Sequence, residues 1–196
     1  MMRWRSASLA LAALLVGTGG SVALADERYE DALGDATGDA PDITAVTVDV
    51  PDGEPTIRFA IEVAPERPFG SDMKTWTDVV FLILSDAPTV DERGILEGGF
   101  TTGVHGVNLE AQEQAGAMLS TMDDLWWYVV DVDADGDTLT FTLDRKLIGS
   151  PTDLYWQVLM GVERFDGSDE SDEMEGDTYP ELDQPPAHYR VIAAGY

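Results

Sequence analysis

Asp35, Asp39 and Asp42 crowd together just ahead of an apolar run, with Gly38 among them. A glycine-containing loop of this kind can turn several carboxylates onto one hard cation, which takes about six to eight oxygen ligands, so calcium is the ion it suggests. The competing explanation is local: loop aspartates commonly bond only their own backbone. A second acidic set, Asp131, Asp133, Asp135 and Asp137, resembles the start of an EF-hand loop. Its twelfth position is Thr142 where a bidentate Glu is required, and strand-forming residues fill its second half, so a plain hairpin is expected there.

Aromatic residues offer a different chemistry. A sugar ring stacks its C–H face on an exposed flat side chain and needs polar neighbours for its hydroxyls. Trp126, Tyr128, Val130 and Val132 form the apolar set of one segment and point inward, which leaves Trp127 outward as a platform. Tyr155 and Gln157 oppose the inward face that carries Trp156 and complete the candidate ligand-binding trio of Trp127, Tyr155 and Gln157. For each aromatic taken singly, packing in a core or interface is the competing role.

Other chemistries find few residues. His105 and His188 are the only histidines and there is no cysteine, so neither zinc nor haem is expected, even with Met118 or Met122 as a second axial ligand. No Gly-x-Ser-x-Gly elbow or phosphate-cradling glycine loop occurs. A glycosidase-type carboxylate pair is available only in the sense that 38 acidic residues contain many pairs. Enzymatic activity is therefore left undecided, with a non-catalytic role favoured.

The elements that must position these residues are strands. Thr56 to Val63 alternates, with Ile57, Phe59, Ile61 and Val63 on one face; Ile43 to Val50 does likewise. Pro51-Asp52-Gly53-Glu54-Pro55 between them predicts a hairpin. Val79 to Leu84 is apolar without a break and belongs in the middle of a sheet. Asp135-Gly136 between Trp126–Val132 and Thr138–Leu143 marks a second hairpin. Leu154 to Val162 forms another strand, and Val104–Leu109, Ala115–Thr121 and Tyr189–Ala193 are weaker ones. Only 144–149 suggests a helical turn. About eight or nine short strands predict an all-β, antiparallel, jelly-roll-like sandwich in one domain, 26–196, with an acidic loop at 166–177.

Residues 1–25 have the form of a secretory signal: Arg3 and Arg5, an apolar run from Ala7 to Val16, and Ala23-Leu24-Ala25 as the cleavage site. The run is too short to span a bilayer, so no transmembrane segment is expected in a mature chain starting at Asp26 and destined for the extracellular space, periplasm or cell envelope. The net charge of −27 becomes two charges more negative when the leader is removed, which disfavours nucleic acid as a partner.

Several pieces fall in a suggestive order: Asp35-x-x-Gly38-Asp39-x-x-Asp42-Ile43, the Trp76 to Leu84 strand ending at Asp86, the Asp144-Arg145 turn, Leu154-x-Trp156, and Asp177-x-x-Pro180. This order resembles the secreted bacterial β-sandwiches grouped around the DOMON domains and the family-nine carbohydrate-binding modules. The resemblance implies a ligand-binding sandwich, most often for a sugar and sometimes for calcium or haem, that accompanies enzymes without being one. The chain departs from that pattern at Ser85 to Gly94, where relatives often carry an aspartate-rich loop. The expected function is thus a secreted, calcium-stabilised binding module with carbohydrate as its ligand. The alternative is an acidic extracellular or envelope domain that contacts proteins and takes no small ligand.

Overall fold

The computed structural model describes residues 26–51, 54–70, 76–97, 100–105, 116–121, 128–164 and 176–191. They form eleven strands and no helix: β1 Glu27–Glu30, β2 Ile43–Asp49, β3 Thr56–Val63, β4 Trp76–Ser85, β5 Phe100–His105, β6 Gly116–Thr121, β7 Tyr128–Asp135, β8 Thr138–Asp144, β9 Asp153–Arg164, β10 Gly176–Tyr179 and β11 Ala187–Arg190. Every pairing is antiparallel. The ladder runs in the order β1-β2-β3-β8-β7-β6-β5-β4-β9-β10, with β11 also alongside β9.

Alternation places the core. In β3 and β8 every second residue is fully buried, Ile57, Phe59 and Ile61 beside Leu139, Phe141 and Leu143. These face Val80, Leu82 and Leu84 of β4 and Trp156 and Val158 of β9 in a single core, so the fold is an all-β sandwich. Phe59 meets Trp156 across the layers at 5.8 Å between ring centres. Burying each such side chain contributes about 1.5–3 kcal/mol. Gly136, at φ 65°, turns the β7–β8 hairpin, and Asp131, Asp133 and Asp135 all point to solvent. After β8 the chain from 145 to 149 is a run of turns, and Asp144 Oδ1 accepts from the Lys146 N–H at 2.9 Å.

β4 is covered on both faces, as its unbroken apolar run requires. Its outer Val79 and Ile83 are each 8% exposed. The chain from Asp86 to Glu97 doubles back, bridging Val90 to Leu96, and helps to cover that face. Gln157 fixes this outer turn. Its side chain is fully buried, its Oε1 accepts from the Leu96 N–H at 2.9 Å, and its Nε2 donates to the Gly94 carbonyl at 2.9 Å. Gly94 has φ +85°, and a Cβ there would lie 2.1 Å from the Leu182 carbonyl oxygen.

β1 and β10 are the two strands without a sequence-based expectation. Each is four residues long, and β1 is largely charged, so neither shows an apolar period. β1 nevertheless closes one seam of the sandwich. Its Tyr29 packs edge-on against Trp156 at 5.0 Å and donates its hydroxyl to the His188 carbonyl at 2.8 Å. Elsewhere Asp78, with no exposure, is held by Arg67 through Nη2 at 2.6 Å and Nη1 at 3.0 Å, and by the Gly70 N–H at 2.7 Å.

Candidate functional site

Among the described residues, two surfaces gather polar chemistry. The first is an acidic pocket where the loop after β1 meets β10 and the turn that follows it. The sequence dictates the loop: Gly34 and Gly38 adopt positive φ, and Asp42 Oδ2 and Oδ1 accept from the Gly34 N–H at 2.8 Å and the Ala36 N–H at 3.2 Å. Across from it, Asp177 accepts the Ile43 N–H at 2.5 Å and the Thr178 N–H at 2.7 Å. Thr37 N–H bonds the Gly176 carbonyl at 2.9 Å, fastening the loop to β10.

Carboxylate oxygens of Asp35, Asp42 and Asp177 lie within 4.8 Å of one another, and a second trio, Asp31, Asp35 and Glu181, meets the same limit. The adjoining cavity, about 580 Å³, is lined by Asp35, Asp177, Glu181 and Asp183 among others, and none of its described lining residues is basic. Burial, reinforced by repulsion from Asp177, Asp35 and Glu181, raises Asp31 to about 7. Burial raises Asp177 to about 6, with Asp35 and Asp42 adding to it against the two backbone donors. Glu181 is raised by burial and by Asp35. Asp31 Oδ2 is buried and accepts no hydrogen bond among the described residues. Such an arrangement has several oxygens and, among the described lining residues, no counter-charge, which suits a hard divalent ion.

Of the expected ligands Asp35, Asp39 and Asp42, the first and third are together. Asp39 belongs to neither trio, and its carbonyl accepts from Arg67 Nε at 3.0 Å. Asp177 takes its place from far along the chain. The sequence marks this residue by the Asp177-x-x-Pro180 motif and as the last acid of the 166–177 loop, and nothing local pairs it with the 31–42 loop.

The second surface is the outer face of β9 and β11. Strand register sets His188 opposite Tyr155 and Arg190 opposite Asp153, while Ala187 and Tyr189 turn towards the core side with Trp156 and Leu154. The Tyr155 and His188 rings lie 4.8 Å apart at 31°. Asp153 Oδ1 sits 3.1 Å from His188 Nε2 and 3.8 Å from Arg190 Nε. His188 and Asp153 side chains are each 42% exposed. No family model, curated protein or solved structure matches the chain. Function must therefore be argued from these two surfaces.

Of the expected sugar-binding trio, Tyr155 is at the surface beside an aromatic partner. Gln157 shares its strand parity but lies under the 86–97 segment with both ends of its amide engaged, so it is unavailable to a ligand. Parity gave its face and could not foresee that a distant loop covers that face. Trp127 lies outside the described residues, as does most of the 166–177 loop, from 166 to 175. His188 and Arg190 were not singled out as ligand contacts, because only the β9–β11 register brings them to Tyr155.

Proposed function

We propose that this protein is a secreted, non-catalytic binding module for carbohydrate, with calcium bracing its acidic pocket. The observation that carries this is the Tyr155–His188 ring pair flanked by Asp153 and Arg190. The rings offer apolar surface to the C–H face of a sugar; Asp153 supplies an acceptor and Arg190 a forked donor for hydroxyls at its edge. The site lies on two hydrogen-bonded strands, which keeps the aromatic and polar groups in fixed relation. In the pocket, Asp35, Asp42 and Asp177, with Asp31 and Glu181 beside them, would hold the ion through oxygen ligands alone. The ion's charge would offset their repulsion and tie the 31–42 loop to β10.

Retention on immobilised polysaccharides tests the sugar site. Tyr155→Ala lowers affinity about two- to tenfold with the melting temperature held, since one stacking ring contributes on the order of 0.5–1.5 kcal/mol. Equal retention of the variant and the parent on every polysaccharide that binds would sink the proposal, as would failure of the parent to bind any class.

A further inference from the structure

Among the described strands β1 pairs with β2 alone, Glu27 opposite Val48, so one step outward Asp26 stands opposite Asp49. Asp49 in turn is opposite Arg58 of β3. The row therefore sets two carboxylates against one guanidinium. The Asp26 and Asp49 side chains are within hydrogen-bonding reach of each other, and burial together with Asp26 raises Asp49. Arg58 only approaches Asp49, at 4.0 Å, and is held instead by Glu54 at 3.1 Å. Tyr189 of β11, Glu27 and Arg145 border the same place. The row is short of positive charge.

We propose that hydrolysis of the Ala25–Asp26 peptide bond completes this row: the ammonium released on Asp26 pairs with Asp49 and locks β1 onto the sandwich. The proposal rests on residues 1–25 being an export signal. The peptidase of the export route consumes one water: its oxygen completes the Ala25 carboxylate, which leaves with the leader, and its two hydrogens convert the Asp26 N–H to an ammonium. Because Tyr29 sits three residues behind the new terminus, the same event secures the ring that closes the seam over Trp156. Before cleavage that nitrogen is a neutral amide, and the row offers its two carboxylates Arg58, 4.0 Å from Asp49 and held by Glu54.

The direction of the pH response follows from the chemistry. An α-ammonium ordinarily titrates near about 7.7–8.0, and neighbouring carboxylates raise that value in the fold. Its stabilisation is present below the ordinary value and lost as pH rises through the raised one. The described residues from Asp26 onward contain all eleven strands, so the processed chain is the form to test.

Chain 26–196 with a free amine is compared by thermal melting with the same chain acetylated at Asp26, both in chelator. The free-amine form is expected to melt about 1–3 °C higher at pH 7, the scale of one exposed ion pair in a domain of this size. The gap closes above about pH 9 and is absent when both chains carry Asp49→Asn. Equal melting at pH 7 overturns the proposal, and so does a gap that survives Asp49→Asn. The intact mass of the exported protein tests the export signal separately: a terminus other than Asp26 overturns the proposal at that step, whatever the melting shows.

Discussion

Asp78 and Asp177 are both buried aspartates, yet the molecule treats them in opposite ways. Asp78 has a guanidinium on it, with two short bonds from Arg67 and a third from the Gly70 N–H. Asp177 has two backbone N–H donors and, nearby, other carboxylates. Burial raises both, but at Asp78 every neighbour named opposes the rise, whereas at Asp177 Asp35 and Asp42 add to it. The first arrangement is complete as it stands. The second has spare oxygens and excess negative charge, so its energy depends on what the solution supplies, protons or metal ions.

The sharpest way to break the contrast is to remove the cation from the complete site. Arg67→Met leaves Asp78 buried and unpaired and is expected to cost about 3–5 kcal/mol, seen as a melting temperature lower by roughly 6–20 °C. A loss under about 1 kcal/mol would mean that Asp78 needs no partner. Next in size is the effect of adding a cation to the incomplete site. Calcium at about a hundred times its dissociation constant is expected to raise melting by roughly 5–10 °C over a chelated sample at matched ionic strength. A rise reproduced by monovalent salt alone would reduce the pocket to a screened acidic surface.

A smaller effect comes from protons. Asp31 at about 7 and Asp177 at about 6 hold their protons more tightly folded than unfolded. The calcium-free protein therefore gains stability as pH falls from about 7 towards about 4, the ordinary carboxylate range, and loses it on the way back up. Calcium needs the deprotonated carboxylates, so its stabilising shift shrinks over the same interval. Melting curves from pH 4 to 8, with and without calcium, should converge at the acid end. The smallest effect is Asp35→Asn, expected to leave chelated melting unchanged or up to about 1 °C higher while weakening the calcium response about tenfold. A clear fall in chelated stability would show that Asp35 holds the loop by itself.

Much of the sandwich was legible in the sequence because alternation is a local signal. The strand Thr56–Val63 has the expected bounds, and Val79–Leu84 lies within the buried β4. β1 and β10 were not legible, since Glu27–Glu30 and Gly176–Tyr179 carry no apolar period and exist only because β2 and β9 offer edges. The sites follow the same division. Asp35 and Asp42 could be grouped because a short loop joins them, while Asp177 reaches them only through tertiary closure. Tyr155 could be placed on an outward face by parity; that Gln157, two residues on, is roofed over depends on a segment some sixty residues earlier.

Gly94 links these regions mechanically. With no room for a methyl group between its backbone and the Leu182 carbonyl, the outer turn and the rim of the acidic pocket bear on each other like stones in an arch. Gln157 anchors that turn to the middle of β9. Any side chain at position 94 would therefore have to part the turn held by β9 from the rim of the pocket.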